Sequence, residues 1–259
     1  MILKNEFNTH EASALVGFEI AQVFNIEANA YIPITSTEHQ FKNTEALKIC
    51  NSTIDNFPES LGAKKCQNLK TIILQSTLSI TAEQHIPTNL NSKFLVTYKN
   101  INSLFTDIYK ISENEIRTFN RIYNDSAKVD FIKKLIKKKS FENTLKNEKD
   151  YQQHETEIII PPLENGKFLI VSSPNKILEK GTTYGTAILQ ATNISFIEKN
   201  TNKENIYQVI NRNSGKPLKN AIITVKNYNI GRYNKLISKK LKTNELGEFY
   251  FKTNSYHQN

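Results

Sequence analysis

The sequence predicts a mainly β protein with an N-terminal α-helical segment, its β part built of tandem antiparallel β-sandwiches, the first with a helical insertion. Three observations predict this. Apolar residues recur at helical spacing up to about residue 75. After Thr77 the period falls to two, in stretches rich in aromatic and β-branched residues. Turn signals separate those stretches, among them Pro161-Pro-Leu-Glu-Asn-Gly166, Ser214-Gly-Lys-Pro-Leu218 and Thr243-Asn-Glu-Leu-Gly247.

The first helix is expected after Thr9 as N-cap, with Leu15, Phe18, Gln22, Val23 and Ile26 as its inward stripe. Pro33 and the polar run Thr35 to Gln40 interrupt it. A second helix is expected from Asn43, whose side chain is suited to cap it, with Ala46, Leu47, Cys50 and Ile54 facing inward. Phe57-Pro58 ends that helix, because proline lacks the N–H a helix interior needs. A third runs from about Glu59 to Leu74 with Leu61, Cys66, Leu69, Ile72 and Ile73 inward. The pattern resembles one tetratricopeptide-type unit plus a cap, and such a unit must pack on a neighbour to bury its stripe.

Strands follow at Leu78–Glu83, Lys93–Tyr98 and Ser103–Ile111. Residues 112–148 then read as a helical insertion, with helices over Glu113–Tyr123 and Ala127–Lys139. Strands resume at His154–Ile160, Lys167–Val171 and Thr183–Ala191. From Ile194 a second sandwich is expected, with strands at Ile194–Ile197, Asn205–Ile210, Ala221–Val225 and Glu248–Phe251 and a loop over Asn227–Arg232. The domains are thus 1–77 helical, 78–193 a sandwich with insertion 112–148, and 194–259 the start of a second sandwich. Residues 194–259 number 66, against the about 100 that such a sandwich takes. The chain is therefore expected to be a fragment of a longer protein.

Hydrophobic residues make up 38% of the 259 and no run of roughly eighteen apolar residues occurs, so no transmembrane helix is expected. The start, Met1 to His10, lacks the apolar region of a signal peptide. The net charge is +9, but acids are interleaved with the lysines, which argues against a nucleic-acid surface. The densest basic run, Lys133, Lys134, Lys137, Lys138 and Lys139, reads as a solvated helix face, or as a contact for an anionic membrane surface.

No catalytic constellation emerges. The histidines are far apart and have no metal-ligand spacing, so neither metal nor cofactor is expected. There is no Gly-x-Ser-x-Gly elbow, and Gly181-Thr-Thr-Tyr-Gly185 lacks the ending of a phosphate-binding loop, so it reads as a strand connection. Glu155 and Glu157 sit at i and i+2 on one strand face, which fits a solvent face better than paired acid–base work. Cys50 and Cys66 lie on successive helices. They are either small core residues or, in an oxidising compartment, a disulfide.

Three blocks, in order, carry a resemblance. Asp150-Tyr-Gln-Gln-His-Glu-Thr-Glu-Ile158 with Pro162-Leu-Glu-Asn-Gly-Lys-Phe-Leu-Ile-Val171 is similar to a macroglobulin domain of the bacterial α2-macroglobulin family. So is Asn211-Arg-Asn-Ser-Gly-Lys-Pro-Leu-Lys-Asn-Ala221 with Thr243-Asn-Glu-Leu-Gly-Glu-Phe249. Glu45-Ala-Leu47 and Phe57-Pro-Glu-Ser-Leu-Gly-Ala63-Lys-Lys-Cys66 resemble the helical segment that precedes such domains in large Bacteroidetes-type members. The resemblance implies Ig-like macroglobulin sandwiches in a periplasmic or cell-surface parent that traps target proteases. In many members of that family a thioester in a Cys-x-Glu-Gln motif captures the attacker. Cys50 is followed by Asn-Ser-Thr and Cys66 by Gln-Asn-Leu, so no such residue carries over. The expected function is a structural, non-catalytic segment of an endopeptidase inhibitor. The alternatives are an Ig-like surface adhesion or scaffold protein, and the accessory sandwich region of an exported hydrolase.

Overall fold

The computed structural model describes residues 10–200, 205–227 and 237–251. It is mainly β with three helices at its N-terminal side, and it divides into two compact units. The first comprises residues up to 83, 93–160 and 167–189; the second comprises 84–92, 161–166 and 190 onward.

In the first unit, helices α1 (Ser13–Ala28), α2 (Lys42–Asn56) and α3 (Leu61–Leu74) pack on one another through small side chains. The buried face of α1 is Ser13, Ala14, Gly17, Ala21 and Ala28, not the expected stripe. Leu15, Val23 and Ile26 are exposed, Gln22 is exposed, and Phe18 is half-buried. The reason is close approach. A Cβ on Gly17 would lie 2.3 Å from Thr53 Oγ1 of α2, and one on Gly62 of α3 would lie 2.2 Å from the backbone carbon of Ala14. Only a face of glycine and alanine lets the axes come this near, so the bulkier residues turn outward. Because Val23 and Ile26 are 54% and 61% exposed, replacing both by serine should change stability by no more than about 1 kcal/mol in chemical denaturation.

The helix ends also differ from expectation. Helix α1 begins at Ser13 with Ala12 as N-cap and no side-chain cap; Thr9 lies outside the described residues. Helix α2 begins at Lys42, and Asn43 spends its side chain elsewhere than on a cap. Its inward face of Ala46, Leu47, Cys50 and Thr53 does hold the expected residues, with Ile54 half-buried. In α3, Cys66, Leu69 and Ile73 are buried while Leu61 and Ile72 are 59% and 60% exposed. Ser60 caps it, accepting from Ala63 N–H at 3.1 Å and donating to the Phe57 carbonyl.

The sandwich of this unit pairs β1 (Thr77–Ala82), β3 (Ser92–Lys99) and β6 (His154–Ile160) in one sheet, in the order β1-β3-β6. The other runs β8 (Gly185–Ala191), β7 (Gly166–Ser173), β4 (Ser103–Lys110), β5 (Ile136–Thr144). Phe94, Val96, Tyr98, Ile158 and Ile160 are buried in the first sheet, and Leu104, Ile108, Phe168 and Ile170 in the second. The apolar run Phe168–Val171 is continuous because both its faces are covered. Leu169 and Val171 point the other way, with Tyr109 and Ile111, against Phe119 and Ile132 of helices α4 (Glu113–Asn120) and α5 (Asp125–Ile132).

The insertion is shorter than 112–148. Helix α5 stops at Ile132, and Ile136–Thr144 is strand β5, a full partner of β4. Lys133 and Lys134 therefore form the turn after that helix, while Lys137 and Lys139 face β4 partners in a strand. A bulge falls between them, and Lys138 is its extra residue. Lys137 bridges to Asp107 at 2.7 Å. Lysines and a bulge on an edge strand discourage another chain from pairing there. The helical pattern over 127–139 misleads because Ile132, Leu135 and Ile136 satisfy a helix period across the α5–β5 joint.

The second unit holds β9 (Ile194–Asn200), β10 (Asn205–Asn211) and β13 (Glu248–Phe251) in the order β13-β10-β9, and the pair β11 (Ile222–Asn227) and β12 (Ile237–Lys242). Here β2 (His85–Ile86) runs parallel to Gln190–Ala191, an exception to the antiparallel expectation. Thr243 joins the two turn motifs. Its hydroxyl donates to the Leu218 carbonyl at 2.6 Å and accepts from Ala221 N–H at 2.8 Å. Gly247 sits at φ +71°, and a Cβ there would meet the Val209 carbonyl oxygen at 2.6 Å, so both conformation and space require glycine. Strand β12 was not expected. The expected loop after Asn227 falls on residues 228–232, outside the described residues.

Candidate functional site

The chemistry of the first unit gathers where the helices meet the sandwich, on the strap Lys149–Gln152 leading into β6. Lys149 and Tyr151 both have φ +57°. Two left-handed non-glycine residues in so short a stretch persist only where surrounding contacts hold them. The Tyr151 ring packs against the helical core of Ala21, Ala46, Leu47, Cys50, Cys66, Leu69 and Ile73. Its carbonyl accepts from Asn43 Nδ2 at 3.1 Å, and Asn25 Nδ2 donates to Asn43 Oδ1 at 2.8 Å. This is the task that takes Asn43 from helix capping. Gln152 Nε2 faces the carbonyls of Ala28 at 3.0 Å and Gln40 at 3.3 Å.

Asp150 is the centre of the strap and is 1% exposed. Oδ2 accepts from Gln40 Nε2 at 3.0 Å, and Oδ1 accepts from Gln152 N–H at 3.1 Å and from His154 Nε2 at 2.9 Å. Burial by itself pushes this carboxyl up. The hydrogen bonds from His154, Gln40 and Gln152 outweigh burial and hold it below the ordinary aspartate value. A carboxyl depressed in the folded state stabilises above its unfolded pKa, about 3.9, and that contribution disappears as pH falls through the folded value. The contribution of Asp150 to the thermal midpoint should thus be full and independent of pH near neutrality, and the midpoint should fall below about pH 4 as that contribution is lost. Circular dichroism melts across that range measure it.

Beside the strap lies a groove of about 320 Å³, lined by Tyr98, Thr144, Lys146, Glu148, His154 and Glu155 among others. Tyr98 donates to the Lys146 carbonyl at 2.8 Å, and its ring lies 6.0 Å from that of His154. Burial and nearby Glu148 push the Tyr98 hydroxyl up, so it stays a donor. His154 spends Nε2 on Asp150, so the pair fixes position; an imidazole engaged in this way holds the carboxylate in place. Among the described residues no group of three or more His, Cys, Asp or Glu side chains is arranged to hold a metal ion.

Of the sequence-predicted residues, Glu155 lines this groove and the others fall elsewhere. Cys50 and Cys66 are thiols, both fully buried, in the helical core. Glu155 and Glu157 are exposed on β6, where Glu155 accepts from Thr97 and Glu157 bridges to Lys93. Gly181–Gly185 connects β7 to β8. Sequence reasoning missed the strap. Its signal was present as an Asp and a His four residues apart, with two glutamines between them, directly before a strand.

No known family profile and no curated protein sequence matches this chain. Among solved structures it is similar to native α2-macroglobulin from Escherichia coli spanning domains MG0-NIE-MG1, at 9% identity and TM-score 0.49, over 69% of this chain and 58% of that one. A structure of the same protein spanning NIE-MG1 gives 10% identity and TM-score 0.49, over 69% of this chain and 88% of that one. The cryo-EM reconstruction of the native E. coli protein gives 9% identity and TM-score 0.41, with only 12% of that chain covered.

Proposed function

We propose that this chain is a structural segment of an α2-macroglobulin-like endopeptidase inhibitor, in which the three helices and the first sandwich act as one rigid piece. The observation that carries this reading is the strap. The block that resembles a macroglobulin domain begins at Asp150, the residue that keys the helices to β6. A protein that works by rearranging domains needs pieces that move as bodies, and a buried, fully hydrogen-bonded carboxylate supplies such a joint. The protein partners would be target proteases, met by other parts of the parent in the periplasm or at the cell surface.

The test uses the full-length protein and trypsin. The expected result is that trypsin co-elutes with it on gel filtration, still cleaves a small chromogenic peptide, and no longer digests a large protein substrate. Trypsin that elutes alone and digests the large substrate at its usual rate, repeated with chymotrypsin and elastase, would sink the assignment.

A further inference from the structure

We propose that Cys50 and Cys66 form an intrachain disulfide across the α2–α3 hairpin, closed while the chain folds and shielded from oxidants afterwards. For its natural setting this rests on the extracytoplasmic reading above; its chemistry does not. These are the only two cysteines in the chain, so no other intrachain pairing competes. They sit on facing sides of consecutive helices joined by the short turn at Phe57–Ser60. Both are 0% exposed and lie in one packed core cluster, near enough to each other for Cys66 to raise the Cys50 thiol.

The helical core has use for a staple. Its interior is Ala21, Ala46, Leu47, Leu69, Ile73 and the two cysteines, with Gly17 and Gly62 at the closest approaches. Small side chains bury little apolar area, and thin cores of this kind gain most from a covalent tie. The folded protein also resists late oxidation. The neighbouring Cys66 and burial raise the Cys50 thiol far above its ordinary range, so the thiolate needed for exchange is scarce once the helices have closed.

The oxidant class is a low-molecular-weight disulfide such as glutathione disulfide. One cysteine thiolate attacks a sulfur of the oxidant, forming a mixed disulfide and releasing one glutathione thiolate, which takes up a proton. The second cysteine then attacks the mixed disulfide, forming the Cys50–Cys66 bond and releasing the second glutathione. Two S–H bonds are lost, and two electrons and two protons pass to the oxidant.

The experiment compares three samples of the whole chain. One is refolded from guanidinium with glutathione disulfide, one is refolded in reductant, and one is folded reduced and then exposed to glutathione disulfide. The first should lose about 2 Da, yield a Cys50–Cys66 linked peptide, and melt roughly 5–10 °C above the second. The third should stay reduced over the time in which the first becomes fully linked. Cys66→Ala refolded with the oxidant should show neither mass loss nor the gain in midpoint. Two alkylatable thiols or two glutathione adducts after oxidative refolding would overturn the pairing. Linking at equal speed in the folded protein would overturn the shielding. No protease enters the measurement, so its failure and failure of the inhibitor reading are separate results.

Discussion

Gly62→Ala lowers the stability of the first unit by about 3 kcal/mol, read by circular dichroism of the helices during chemical denaturation. Ordinarily this substitution helps a helix interior by about 1 kcal/mol, because alanine loses less backbone entropy. Here the new methyl would meet Ala14 C at 2.2 Å, Ala14 O at 2.3 Å and Leu15 N at 2.6 Å. All three are backbone atoms of α1, so no side chain can rotate away. Helix α1 must shift bodily, which disturbs its contacts with both α2 and α3. Gly17→Ala is the control. Its methyl would meet chiefly the Thr53 hydroxyl at 2.3 Å, a side chain that a rotamer change moves aside. Its effect should stay within about 1 kcal/mol, since the helix gain offsets the adjustment. Equal effects at the two glycines would contradict the close packing of α1 on α3.

This packing also explains which parts of the fold were legible in the sequence. Period-two stretches found most strands but not β2, β5 or β12, because one buried face per strand leaves an alternating trace; β3 and β4 show it directly. Helical spacing found α2, where Ala46, Leu47 and Cys50 both fit the period and face inward. It misassigned α1, since hydrophobicity ranks Leu15, Val23 and Ile26 above Ala14, Gly17 and Ala21, while close packing selects for size. It also ran α5 into β5, where a chain of lysines with scattered isoleucines serves either period. The strap was least legible. Its residues are polar, its backbone is irregular, and every partner of Asp150 outside the strap and β6 comes from some 110 positions away, as with Gln40. Local pattern carries no record of such a contact.

Asp150→Asn is expected to weaken the joint between helices and sandwich by about 2–3 kcal/mol. The shape is conserved and the charge is not. Asp150 offers only acceptors, and three donors point at it: Gln40 Nε2, Gln152 N–H and His154 Nε2. Asparagine keeps one acceptor oxygen and turns an NH₂ toward at least one of those donors, in a site 1% exposed where water cannot take over. The lost partner is then a buried donor without an acceptor, the costly case. The sign of the pH dependence gives an independent check. The native carboxyl is held below the ordinary aspartate value, so its stabilisation is complete near neutrality and disappears in acid. The variant lacks that contribution at every pH. Its deficit against the native protein should therefore be largest near neutrality and shrink below about pH 4. Faster hydrogen exchange in α2 and at Tyr151, with β3 and β4 unchanged, would place the loss at the strap. A deficit that stays constant into acid would mean that Asp150 holds its place by shape alone, and that the charge does not lock the joint.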